Sequence, residues 1–547
     1  NGHKVLVEIT KYPKNDKKAE GKIIEILGKP NEAGVDMLSL IKEYRLPSRF
    51  PEPVVKEAQK FGDKIEEKEI QKRIDNRKDI IFTIDGEDAK DLDDAVRVTK
   101  MENGNYRLDV HIADVSHYVK ENSLLDNEAL IRGTSIYMLG RVIPMLPREL
   151  SNGLCSLNAG QDRFTLSCSM EINKEGKVVS SEVYKGIINV KERMNYHDVQ
   201  KILDKSDTDV LERYKPYIKD FETMAELATI LKNRRMEQGY LNLDIPESKI
   251  DLDINGKVIN IGKYETSFSN EIIEQFMLIA NETIAEKFYW LQAPFIYRVH
   301  EDPDIDKVKE LNKFLFNFGM NIKISNEKVY PTEFSKILEQ IKGKEEEKVV
   351  SNLILRTLKV AKYESENKGH FGIASKYYCH FTSPIRRYPD LFIHRIISEY
   401  LADKALKNFI QYLENYDEKV IVLFFGDHQP NLNQQNIYES TDAYNEDTAS
   451  QVVPFFIWAN YEIEGKSGVN TSTNYLESLL LDTAKMPTDS YTKYIEKLRE
   501  ELPIITNNYY MDKENNMYRL DDKESPYYEK LQEYWKLIYY NIFDNKE

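Results

Sequence analysis

Thr83-Ile84-Asp85-Gly86-Glu87-Asp88-Ala89-Lys90-Asp91-Leu92-Asp93-Asp94 is the densest polar signal in the chain, an apolar strand that breaks at Gly86 and resumes at Ala95. The break crowds its acids into one loop. Asp85, Asp91, Asp93 and Asp94 repel one another unless cations sit among them, and all-oxygen donor sets suit hard ions such as Mg2+. A calcium loop would need Asp at alternating positions, Gly at the sixth and Glu at the twelfth, an order this stretch lacks. A solvated acidic turn is the other reading of such a charge run. The flanking apolar runs Ile80-Ile81-Phe82 and Ala95-Val96 draw the loop towards a core and favour a metal site.

Outward from this loop, the 547 residues are 41% apolar and 31% charged, a globular composition with material for about three domains. Lys and Arg number 76 against 92 Asp and Glu, a net charge of -16, which excludes a surface that coats nucleic acid everywhere but permits a local basic channel. Cys155, Cys168 and Cys379 are too few and too scattered for a disulfide scaffold or a CxxC zinc site. They fit a reducing compartment, so a cytoplasmic location is expected. No apolar run approaches a membrane span. The start at Asn1-Gly2-His3 reads as a cut from something longer.

The composition shifts near residue 400. Residues 401–547 hold 14 Lys and Arg against 26 Asp and Glu, net -12, leaving 62 and 66, net -4, for residues 1–400. Val5, Val7 and Ile9, followed by Lys22 to Gly28, read as strands ending a small β-barrel. After Pro51 and Pro53 comes a charge-rich helical connector. Short strands follow, including Ala95 to Val98 and Tyr106 to Val115 around a turn at Glu102 to Asn105. Helices are expected over Val210 to Arg235, Asn270 to Leu291, Ile305 to Phe318 and Lys348 to Glu364.

About 290 residues beyond the acidic loop lies Gly369-His370-Phe371-Gly372-Ile373-Ala374, leading through Cys379-His380-Phe381 to Thr382-Ser383-Pro384-Ile385-Arg386-Arg387-Tyr388-Pro389-Asp390. Ser-Pro reads as a helix start whose open amides, with two arginines, would converge on an anion. A capped helix carrying a surface arginine pair is the structural alternative.

Together these tracts resemble the signature segments of the ribonuclease II and ribonuclease R family. Arg132 to Tyr137, Arg141 to Pro147, Leu150-Ser151-Asn152 and Glu274 to Asn281 match further family segments in the right order. The resemblance covers about residues 1–400. It implies an α+β architecture: the end of a cold-shock (OB-type) barrel at 1–50, a helical connector at 51–74 and an RNB catalytic domain at 75–400. It also implies a Mg2+-dependent 3′-to-5′ exoribonuclease that converts single-stranded RNA to nucleoside 5′-monophosphates. By position, Asp85, Asp91, Asp93 and Asp94 would hold two Mg2+ ions, with Mn2+ an alternative. Asp93, Asp94 and Arg386 would be catalytic, Arg386 meeting the phosphate oxygens. Tyr137 and Tyr196 would meet RNA bases, Glu274 the terminal ribose, and Arg387 would be a further RNA contact or a structural residue. The register between Glu274 and Glu271 stays open. The family's upstream barrel and downstream S1 domain have no counterpart in this sequence.

Past residue 400 a second resemblance begins. Phe425-Gly426-Asp427-His428-Gln429-Pro430 and Val453-Pro454-Phe455-Phe456-Ile457-Trp458 look like the final portion of lipoteichoic acid synthase-like phosphoglycerol transferases of the sulfatase superfamily. Residues 401–547 thus read as a partial α/β alkaline-phosphatase-like fragment with Asp427 and His428 as metal candidates. As a half-domain, the tail is expected to be disordered or aggregation-prone. It supplies the alternative function of phosphoglycerol transfer. No stable membrane contact and no protein partner are read from the sequence.

Overall fold

The computed structural model describes all residues except 1, 15–17, 63–64, 66, 244–247, 254–256, 264–265, 427–452, 507 and 540–547. The chain divides into two compact units, Asn1–Leu401 and Ala402–Glu547.

The first unit opens with an antiparallel hairpin, β1 (Lys4–Lys11) and β2 (Glu20–Gly28). Short helices Val35–Glu43, Glu52–Gln59 and Glu67–Ile70 lead on to a seven-stranded mixed sheet. Its strands are β3 (Ile74–Asp75), β4 (Phe82–Asp85), β5 (Asp94–Lys100), β6 (Tyr106–Ala113), β9 (Asp162–Ile172), β10 (Val178–Asn189) and β11 (Glu192–Asn195). The order is β11-β4-β5-β6-β9-β10-β3. The long central strands pair antiparallel, while β11 lies parallel to β4 and β3 parallel to β10. The insertion between β6 and β9 carries a small hairpin, β7 (Ile136–Met138) and β8 (Arg141–Ile143).

Two-residue alternation sorts the sheet's faces. Val96, Val98, Leu108, Val110, Ile112, Leu166, Cys168 and Met170 form one apolar face, which shares a core with residues of the helices Ile218–Gln238 and Phe268–Trp290. On the opposite face, Asp109, His111, Thr165 and Ser167 are buried and polar. Most of their polar atoms are paired: His111 Nδ1 lies 2.8 Å from Ser167 Oγ, which lies 2.9 Å from Thr165 Oγ1, and Arg107 Nε donates to Asp109 Oδ1 at 3.0 Å, while His111 Nε2 is buried without a partner among the described residues. A second core around Ile81, Leu92, Ala95, Leu146, Leu150 and Ile187 underlies the acidic loop.

Three of the four helix expectations change. Pro216 splits the first, so Thr208–Arg213 and Ile218–Gln238 replace one continuous helix. The second holds with small end shifts, at Phe268–Trp290. The third ends its α-helical part at Leu315. The fourth ends at Thr357, and Lys362–Glu364 instead pairs as a strand with Tyr297–Val299. The Ser383-Pro384 step does not start a helix either: residues 384–386 form a turn and the helix runs Tyr388–Glu414.

In the second unit, Ile421–Phe425 pairs antiparallel with Phe455–Ala459, with Phe424 and Phe456 stacked. Tyr475, Ile495, Leu498, Leu502, Tyr510, Leu531 and Tyr534 form a separate buried core. The expectation of disorder is therefore overturned for the residues around this core, because enough apolar surface is available locally to bury. Asp427 and His428 lie outside the described residues. Among the described residues, no helix is long and apolar enough to cross a membrane.

Candidate active site

The aspartates occupy the mouth between β4 and β5. Asp85 ends β4 and Asp94 begins β5. The intervening loop is fastened by Leu92, which is 1% exposed and plugs the second core. Ser156, also buried, ties down the loop's backbone: its Oγ accepts from Leu92 N at 3.1 Å and donates to Lys90 O at 2.9 Å. Leu157 N donates to Leu92 O at 3.0 Å. From the other side, Arg193 on β11 donates to Ala89 O at 2.6 Å and Glu87 O at 2.9 Å. Neither Ser156 nor Arg193 carried a recognisable signal in sequence, since both act on loop carbonyls brought near by folding.

The loop meets the Arg386 turn across 292 residues of sequence. Ile385 N donates to Asp93 Oδ1 at 2.8 Å. Arg386 Nε lies 3.6 Å from Asp93 Oδ2, an oxygen that is buried and has no hydrogen-bond donor. The Ile385 amide is thus engaged by the acidic loop rather than left open for an anion. Ser135 N donates to Arg386 O at 2.9 Å, as does Thr134 Oγ1, so the segment leading into the β7–β8 hairpin is pinned to the same turn. That hairpin carries Tyr137, 54% exposed, whose hydroxyl donates to Asp91 Oδ2.

Burial dominates the electrostatics. It raises the Asp94 carboxyl to about 7, with the Asp85 charge adding to the shift and Arg386 and Arg387 opposing it. Burial likewise holds Asp93 well above the carboxylate range against the opposing Arg386 charge, and raises Asp85, with Asp91 contributing. Burial thus disfavours full ionisation of these carboxylates, a condition that a divalent cation relieves. The all-carboxylate donor set fits such an ion. The four carboxylates are not gathered into a finished cage, however: among the described residues, no group of three or more His, Cys, Asp or Glu side chains is set to hold a metal ion. The physical reason is that Asp91 is engaged by Tyr137, and Asp93 by Ile385 and Arg386.

The remaining sequence candidates separate clearly. Arg387 Nη2 bonds the fully buried Asp390 at 2.7 Å, which makes it a structural brace of the turn. Tyr196 is the first residue of the helix Tyr196–Asp204, capped by Asn195; its ring packs against the main core and its carbonyl accepts from Ser269 Oγ at 2.7 Å. Glu271 is paired with Lys232, whereas Glu274 accepts from the Tyr240 hydroxyl at 2.8 Å. Asn281, on the same helix as Glu274, accepts from Phe381 N at 2.8 Å and so fixes the strand-like run that enters the arginine turn.

The first unit is thus a seven-stranded sheet whose carboxylate loop faces an arginine turn, and the chain belongs to the RNB-domain family. The RNB domain model matches residues 73–403, the cold shock domain model residues 1–51 and the sulfatase model residues 396–486. The chain is 45% identical over 401 residues to Ribonuclease R of Thermotoga maritima, covering 73% of this chain and 56% of that protein. It is 44% identical over 413 residues to Ribonuclease R 1 of Lactococcus lactis, covering 75% and 50% respectively. The structure of Mycoplasma genitalium RNase R in complex with ribose methylated single-stranded RNA superposes with a TM-score of 0.68 at 29% identity, covering 72% of this chain and 61% of that one. The chain thus spans about half the length of the curated relatives it matches.

Proposed function

We propose that this chain is a 3′-to-5′ exoribonuclease that hydrolyses single-stranded RNA to nucleoside 5′-monophosphates in the cytoplasm. The observation that carries this reading is the meeting of the acidic loop with the Arg386 turn, Asp93 to Arg386 at 3.6 Å. Sequence likeness to the Ribonuclease R proteins supports it. The domain division proposed is the end of a cold-shock barrel at 1–50, a connector at 51–74, an RNB catalytic domain at 75–400 and a sulfatase-like segment at 401–547.

Asp85, Asp91, Asp93 and Asp94 are proposed to hold two Mg2+ ions, for which Mn2+ is a chemical substitute. When bound, the ions supply an activated water and charge stabilisation at the leaving oxygen. The chain's own residues do the rest. The Arg386 guanidinium, 42% exposed and steadied by a 2.9 Å bond to Ser383 Oγ, faces the phosphate and meets charge that grows in the transition state. The exposed Tyr137 ring offers a stacking surface worth roughly 1–3 kcal/mol per base, without regard to sequence. Tyr196, at the start of its helix, is proposed as a second base contact. Glu274 is exposed on a helix whose adjacent residues Ile273 and Gln275 are buried, and is proposed to accept from the ribose 2′-hydroxyl.

The sulfatase match is confined to residues 396–486, whereas the RNB match spans residues 73–403, so the chain's larger domain favours RNA hydrolysis over phosphoglycerol transfer. The test is chromatographic: single-stranded RNA with Mg2+ should yield nucleoside 5′-monophosphates, and release of 3′-monophosphates would refute the proposed chemistry.

A further inference from the structure

Glu274 owes its setting to a residue from a different element. The helix Ile218–Gln238 ends at Gly239, whose φ of 99° is left-handed, and a Cβ there would come within 2.4 Å of Thr332 N. Only glycine fits this turn, which is therefore fixed against the start of the helix Pro331–Ile341. Tyr240 follows immediately, its amide donating to Arg235 O at 3.1 Å. The next amide, of Leu241, donates to Gly372 O at 3.0 Å, fastening the turn to the His370–Ala374 segment. From this anchored backbone the Tyr240 hydroxyl reaches the Phe268–Trp290 helix and donates to Glu274 Oε1 at 2.8 Å.

The frame behind the pair is rigid. Arg235 makes a bidentate pair with Glu282 at 2.6 and 2.9 Å, and its Nε donates to Gln275 Oε1 at 3.2 Å. The two helices are thereby locked in register one residue from Glu274. Glu274 itself is exposed, and an exposed glutamate on a helix would ordinarily sample several rotamers. The Tyr240 bond occupies one carboxylate oxygen and restrains the side chain.

We infer that Tyr240 is a positioning residue for sugar discrimination: by holding Glu274 Oε1 it orients the carboxylate towards the 2′-hydroxyl of the RNA terminus. The inference rests on the proposed role of Glu274 as the ribose contact. A site built to hydrogen-bond a substrate hydroxyl rejects a substrate lacking it only if the acceptor is held in place.

The experiment compares kcat/KM of the full chain with Mg2+ on an all-ribose oligonucleotide and on the same oligonucleotide bearing 2′-deoxyribose at its 3′-terminal nucleotide. Glu274→Ala should collapse the ribose-to-deoxyribose ratio. Tyr240→Phe, which removes one oxygen, should lower that ratio about tenfold, the low end of what a lost hydrogen bond to a charged group costs. The double variant should match Glu274→Ala alone, because the two residues act through one contact. Circular dichroism confirms folding, and Tyr240→Leu replaces the Phe variant should the latter not fold. An unchanged ratio in Tyr240→Phe, or an equal loss on both substrates, overturns the inference while Glu274 keeps its role. An unchanged ratio in Glu274→Ala removes the reading of Glu274 itself.

Discussion

In the proposed metal site, removing a charge from Asp93 or Asp94 should have opposite effects on binding and on chemistry. Burial and neighbouring carboxylates already strain their ionised forms, and burial pushes Asp94 up to about 7. Replacing either with Asn relieves repulsion near incoming phosphates but removes an anionic ligand. Asp93→Asn and Asp94→Asn should therefore lower turnover by at least a hundredfold while single-stranded RNA binding, followed by fluorescence anisotropy, stays within a few-fold. Full activity in either variant would remove these residues from the metal site. His111 gives a separate prediction, about stability. Burial holds its imidazole down to about 4, against about 6.5 in the unfolded chain. Between these values the unfolded state binds more protons, so this contribution is intact above pH 6.5 and is lost as pH falls towards 4, at about 1.4 kcal/mol per pH unit. Urea unfolding at pH 7 and pH 5 should show a smaller pH difference for His111→Asn than for the unaltered chain. An equal difference would show that His111 does not titrate in this way.

At the scale of elements, the aspartate loop is shaped by groups outside it. Arg193 lies on β11, alongside β4 in parallel register, and bonds the carbonyls of Glu87 and Ala89. Arg193→Ala should loosen the loop and raise the Mg2+ concentration needed for half-maximal activity severalfold, with direct Mn2+ binding weakened in parallel. Unchanged metal dependence would show that Leu92 and Ser156 suffice. The acids themselves were legible in sequence because their charges crowd one short stretch between apolar runs. Arg193, Ser156 and Tyr240 were not, because each works through a backbone or carboxylate partner that only the fold brings near. Lys362–Glu364 misled for a related reason: its local spacing suits a helix, but pairing with Tyr297–Val299 decides its conformation. The Ser-Pro signal at 383–384 was likewise outweighed. Asp390 instead accepts from Ser383 N at 2.8 Å, and the helix begins only at Tyr388.

On the scale of the whole molecule, the chain joins two compact units with different family matches. The catalytic candidates all lie before residue 401, while residues 401–547 carry net -12, a field that opposes the approach of a polyanion. The helix that begins at Tyr388 continues to Glu414, so a cut that spares it belongs after that residue. A protein ending at Asn415 should hydrolyse RNA at least as fast as the full chain at low salt. Loss of activity in a truncated protein that remains folded by circular dichroism would make the tail part of the enzyme. The central claim, that the Asp loop and Arg386 form a metal-dependent exonuclease centre, is tested most directly with 5′-labelled single-stranded RNA. With Mg2+, the full chain should shorten the RNA progressively from its 3′ end. Chelator, or the Asp94→Asn variant, should stop it. Internal cuts, or unchanged shortening in the presence of chelator, would contradict the account.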